Sequence, residues 1–237
     1  MKKIFIIAAM AIAGITTANA QEFKVGAKAG FLMSNVSVDS SSYIEAGELI
    51  TSKLNTAFRP GFHFGAFIEY GFNEKIWVEA GVDYAFQGAK LKSVEATRIN
   101  VSDGSLIASE KANIKNGWLK TQQFNIPLWV KYDISGFRPK VGVNLGFLSK
   151  AKTNLEIEGT LPEENIIINK SLTPDKKFDF GLGFGAEYNL PMGLFFDATF
   201  NLGLTKLSTK EKNDDGTYSE GNKFKNRVIQ VGVGYKF

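Results

Sequence analysis

One histidine, no cysteine and a scatter of carboxylates bound the chemistry this chain could perform. His63 is the sole imidazole, so general-base work would rest on it alone, and a histidine metal site has no second ring to complete it. Without Cys there is no disulfide framework, thiolate nucleophile, Cys-ligated zinc or acylated cysteine. Glu79 and Asp83 lie four residues apart, on one face of a strand, where paired carboxylates could do acid–base work. Gly181, Gly183 and Gly185 superficially suggest a phosphate loop, but their spacing of two and the absence of a following helical pattern fail that motif. A lipid-cleaving site would need a nucleophile, a base and an orienter within mutual reach. No serine falls on an outward face beside His63. The expected chemistry is therefore structural: no catalytic residue, no metal and no cofactor.

These residues belong to elements with a two-residue period, the mark of strands with two unlike faces. Phe23, Val25, Ala27, Ala29, Phe31 and Met33 alternate with Lys24, Gly26, Lys28, Gly30 and Ser34. The same alternation recurs over 62–70, 76–87, 123–132, 140–147, 178–188, 194–203 and 229–237, giving eight strands. Three connections, Gly71–Lys75, Asp133–Phe137 and Asn189–Gly193, have five residues each. The others, Asn35–Ala57, Lys92–Gly117, Ser149–Lys177 and Thr205–Lys225, run to 23, 26, 29 and 21 residues. Such loops are uncommon inside a compact soluble domain, whereas outer-membrane barrels combine short periplasmic turns with long extracellular loops.

The first twenty residues read as an export signal. Lys2 and Lys3 precede the apolar run Ile4–Ile15, and Ala18-Asn19-Ala20 forms a small-x-small site that places cleavage between Ala20 and Gln21. The run falls short of the roughly 20 residues of a spanning helix. The chain has 237 residues, with 44% hydrophobic and 22% charged, a balance that excludes disorder. The net charge of +4 falls to +2 without the two leading lysines, and basic residues alternate with acids, unlike the clustered basic face of a nucleic-acid binder.

Which face is buried decides the class. A lipocalin-like carrier would enclose the apolar face, and a membrane barrel would turn it to lipid. The apolar face carries a bulky group at nearly every position of eight strands, more than a small barrel can hold. The opposite face is Gly-rich and offers six cations, Lys24, Lys28, Lys131, Arg138, Lys140 and Lys236. Six anions face them, Glu69, Glu79, Asp83, Asp179, Glu187 and Asp197, a set suited to ion pairing in a narrow lumen. Tyr70, Tyr132, Tyr188 and Tyr235 sit on the apolar phase at one end of their strands, where an interfacial girdle belongs. Pro127 predicts a bulge or weakened pairing. Asp103-Gly104 predicts a hairpin turn within the second long loop, and Leu155, Ile157, Ile166 and Ile168 a second hairpin across Gly159–Asn165. Asp214-Asp215-Gly216 reads as a turn.

Four blocks carry a family resemblance: Val25 to Asn35, Pro60–Lys90, Phe124–Tyr132 and Val231–Phe237. Together they resemble the PorT-like outer-membrane β-barrel family, porin-family proteins of Bacteroidetes. The terminal Phe237 on the lipid phase is similar to the aromatic signal read by barrel-assembly machinery, which the resemblance implies as a partner. The expectation is an all-β chain: a signal peptide at 1–20, then an eight-stranded antiparallel transmembrane barrel at 21–237. Its lumen would be plugged by salt bridges and its role non-enzymatic, structural or presenting extracellular loops for binding. The alternatives are a narrow pore for small solutes, a lipid-modifying barrel enzyme and a soluble lipocalin-like carrier. Expected partners are outer-membrane lipid, the assembly machinery and an extracellular or periplasmic ligand, with no nucleic acid.

Overall fold

A computed structural model describes residues 22–157, 166–212, 216–221 and 223–237. The signal peptide with its Ala20–Gln21 bond, the tip at 159–165 and the Asp214-Asp215 pair lie outside the described residues. Among the described residues, twelve antiparallel strands form the fold. They are β1 (Glu22–Val38), β2 (Ser41–Glu45), β3 (Glu48–Gly71), β4 (Ile76–Asn100), β5 (Leu106–Tyr132), β6 (Phe137–Ile157), β7 (Ile166–Pro174), β8 (Phe178–Asn189), β9 (Leu194–Gly203), β10 (Thr209–Lys212), β11 (Tyr218–Glu220) and β12 (Phe224–Lys236).

A ring of pairings runs through eight of them: β1–β3–β4–β5–β6–β8–β9–β12, with β12 returning to β1. Closure matters physically because each of these eight strands then has a neighbour on each side, so the ring itself presents no free edge. The eight strands expected from the two-residue period are these eight. The expected long loops, however, are largely strand. β3, β4, β5 and β6 continue well past the predicted limits, and β2, β7, β10 and β11 fold back against them. The β4–β5 hairpin turns at the predicted Asp103-Gly104, where Gly104 takes a φ of +71° that suits a residue without Cβ. β6 and β7 pair Leu155 with Ile168 and Ile157 with Ile166, the predicted second hairpin.

Alternation sorts the side chains. Phe31 (79% exposed), Phe64, Val82, Leu182, Phe184 and Val231 point outward, while His63 beside Phe64 and Asp83 beside Val82 are buried inside the ring. Pro127 holds its place opposite Asn144 without a bulge, but the β4–β5 ladder skips Gly81–Val82 and Ile126–Pro127. A residue with no N–H weakens the ladder here without shifting its register.

Candidate functional site

The interior is layered. Nearest the short turns, Glu69 on β3, Glu79 on β4 and Glu187 on β8 converge on Lys131 of β5, whose side chain is fully enclosed. Lys131 Nζ donates to all three carboxylates, 2.6 Å from Glu187. Lys28 donates to Glu79 at 3.0 Å, Lys236 to Glu187 at 2.5 Å and to Glu69 at 3.0 Å, and Arg138 to Glu69 at 3.4 Å and to Asp133. Lys140 pairs with Asp197 beside them. Five cations thus meet five anions, and buried charges that find partners and hydrogen bonds persist where lone ones would not. Asp133 lies in a short turn, outside the spanning segments. Partial burial pushes its carboxyl up, yet the Gly136 N–H and the Arg138 guanidinium outweigh that and hold it below the usual range.

Four aromatic rings line this layer, and the sequence reading passed over them. Phe67, Trp77, Trp129 and Phe195 occupy inward positions between outward apolar neighbours, so the alternation itself assigns them inside. Phe67 and Phe195 meet edge to face at 5.6 Å. Arg138 lies 4.2 Å over Trp77, Lys140 4.7 Å over Trp129 and Lys236 4.7 Å over Phe195, placing cations on the negative faces of the rings.

The middle layer is amide-rich and acidic. Asp83 meets His63 Nδ1 at 2.9 Å and accepts from Asn125 at 3.4 Å; Asp179 accepts from Asn226 at 2.8 Å and from Gln123 at 3.0 Å. Neither acid has a lysine or arginine partner among the described residues. The cavity among Gln87, Asn144, Thr199 and Gln230 holds only about 30 Å³. Above it Val36, Ala89, Leu91, Ile114, Leu119, Leu148, Leu207 and Phe224 form a buried apolar layer. On that layer, between the extended hairpins, opens a cup of about 350 Å³. Val38, Leu54, Val94, Leu155 and Leu172 line its wall, and Ser41, Ser52, Thr153 and Thr209 also face it.

Eleven of the twelve lumen charges named from the sequence are buried inside the ring. Lys24 is the exception: it is partly exposed, 3.0 Å from Glu22 and 4.9 Å over Trp77. The ion pairing expected of these twelve is concentrated at the short-turn end, and Asp83 and Asp179 sit apart from it. The apolar layer and the cup had no sequence expectation behind them.

The chemistry open to this arrangement is narrow. Glu69, Glu79 and Glu187 gather their oxygens within 4.8 Å, as metal ligands would, but the Lys131 ammonium lies among them. His63 is oriented by Asp83, yet its Nε2 has no hydrogen-bond partner among the described residues, so no nucleophile is poised there.

The sequence profile of the outer membrane protein beta-barrel domain matches residues 5–237. The chain belongs to that family. It is accordingly an all-β barrel-fold protein of the bacterial outer membrane. Among solved structures, a major outer membrane protein from Thermus thermophilus is similar over 92% of this chain and 100% of its own, with 18% identity and a TM-score of 0.48. OprG from Pseudomonas aeruginosa matches over 92% and 97%, with 14% identity and a TM-score of 0.44. Ail, the attachment invasion locus protein of Yersinia pestis, matches over 91% and 99%, with 17% identity and a TM-score of 0.41. No curated protein matches the chain.

Proposed function

We propose that this protein is an eight-stranded transmembrane barrel, exported by a signal peptide cleaved after Ala20, that conducts no ions and binds at its extracellular end. The observation that carries the reading is the stacking of layers: a cup lies on a closed apolar layer above an ion-paired lumen. Hydrated ions need a continuous polar path, and an apolar layer above a cavity of about 30 Å³ leaves none. The short turns then face the periplasm and the hairpins face outward. The cup falls in the size range of small-molecule sites, roughly 300–1,000 Å³. Its walls suit a largely apolar ligand, with Asp39, Lys53 and Glu211 also in the lining to meet a polar end. The four blocks that resemble PorT-like barrels favour that branch of the family, and Phe237 the usual assembly route. With no nucleophile beside His63, the role is binding without catalysis.

Planar-bilayer recording tests the closed lumen: wild type should give no steady conductance, and a large stable channel would sink the reading. Binding is tested in nanodiscs with a naphthylamine fluorophore as the apolar probe. Its fluorescence should rise saturably with wild type and lose most of that rise in Leu119→Arg.

A further inference from the structure

Outside the ring, just above the lipid-facing band, β4, β5 and β6 present Lys90, Lys92, Lys120, Lys150 and Lys152, all exposed. Register brings them together. Lys120 stands directly opposite Lys152, Lys150 opposite Gln122, and Lys90 opposite Trp118. Like charges facing each other across a ladder destabilise it unless something neutralises them. The described chain sets the Trp118 ring face 4.0 Å from the Lys120 ammonium, a contact that carries no counter-charge. None of the five lysines forms an ion pair among the described residues, and the segments 84–92, 118–124 and 147–152 contain no Asp or Glu. Higher on the same hairpins the pattern is opposite: Lys111 meets Glu95 at 3.3 Å and Arg98 meets Glu110 at 3.7 Å.

Below the lysines the surface turns apolar within two to four residues. Phe124 faces Phe147 across β5–β6. Between the two zones the Tyr84 hydroxyl donates to Gln122 at 2.9 Å and lies 3.3 Å from Ser149 Oγ. Cations over hydroxyls over aromatic rings reproduce, from top to bottom, the complement of a phosphorylated lipid: phosphate, sugar or glycerol, acyl chain. We infer that Lys120, Lys150 and Lys152, with Lys90 beside them, form a docking site for the phosphomonoester headgroup of an outer-leaflet glycolipid, whose acyl chains lie along Phe124 and Phe147. This inference rests on the membrane-barrel reading and adds a specific lipid partner to it.

Lysine near a charged membrane surface contributes about 1 kcal/mol, so removing two should weaken binding by about ten- to thirty-fold. Full-length protein in detergent, titrated with bisphosphorylated lipid A and read by native mass spectrometry, should retain the lipid. Retention should drop by that factor with dephosphorylated lipid A, and also in Lys120→Gln/Lys152→Gln. The charge-keeping pair Lys120→Arg/Lys152→Arg should bind as wild type. Heat-modifiable migration on gels, unchanged in all variants, checks that each remains folded. Equal retention of dephosphorylated lipid, unchanged binding in the glutamine pair, or full competition by millimolar inorganic phosphate would overturn the site. Recovery of the protein from cells without detergent would instead overturn the membrane reading beneath it.

Discussion

Lys131 is the residue on which the lower lumen turns. It is enclosed by three carboxylates, and its removal would take away the cation that touches all three, leaving them held only from their outer sides by Lys28, Lys236 and Arg138. Breaking a buried charge set by deleting one partner typically costs about 3–5 kcal/mol. Lys131→Met should therefore lower unfolding free energy by that amount in urea titrations of the detergent-folded protein; an effect below about 1 kcal/mol would mean the carboxylates are compensated elsewhere. Asp133 gives a pH test. Its folded carboxyl titrates below the unfolded one, so its contribution is present above the ordinary carboxylate range and fades as pH falls through the folded value. Stability followed downward from pH 6 should decline more gently in Asp133→Asn than in wild type. Individual lumen charges were legible in the sequence because a charge on a strand facing lipid is excluded, leaving only the inward phase. Their partners were not legible, because pairing depends on the stagger between strands distant in sequence. Asp83 and Asp179 show this: each alternates correctly, yet each meets neutral amides where cations were expected, apart from His63 beside Asp83.

At the scale of the strand, alternation reads well only where the two faces meet different solvents. Below the rim, lipid and lumen impose apolar-out and polar-in, and the strand cores stand where the sequence put them. Above it, the outward face turns to water and the inward face to the apolar layer, so the phase inverts: Lys90, Lys92 and Lys120 go out while Leu91 and Leu119 go in. A pattern that reverses partway along one strand looks like a loop, which is why β3 to β6 were expected to end early. Leu182 and Gly183 on β8 put the faces to a test. Leu182→Arg should cost about 2–4 kcal/mol if it meets lipid near the midplane. Gly183→Ser, which looks mild from a Gly-rich lumen face, should also destabilise, since a Cβ there would overlap the Trp129 ring and lie 2.7 Å from Asn201 Oδ1. Pairing it with Trp129→Leu should recover part of the loss in the same urea titration, whereas no recovery would show that Gly183 is needed for another reason.

For the whole molecule, the ring is the organising fact: β1 meets β12 over thirteen residue pairs, from Gly26–Lys236 to Val38–Phe224, so the earliest and latest strands in the ring close it together. Ring closure and the cup are global properties, fixed by which strands neighbour one another; the strand count hinted at the ring, and nothing in the sequence at the cup. One local interruption in that wall has a consequence in time. Where the ladder skips Gly81–Val82 and Ile126–Pro127, β4 and β5 lack cross-strand bonds at mid-height, beside the amide-lined cavity that Pro127 helps to enclose. Opening fluctuations need fewer broken bonds there than elsewhere along β4 and β5. Deuterium labelling in nanodiscs should find the amide of Gly81, which faces Pro127, exchanging well before those of Trp77 or Asp83 on the same side of β4, making this seam the place where the wall breathes first.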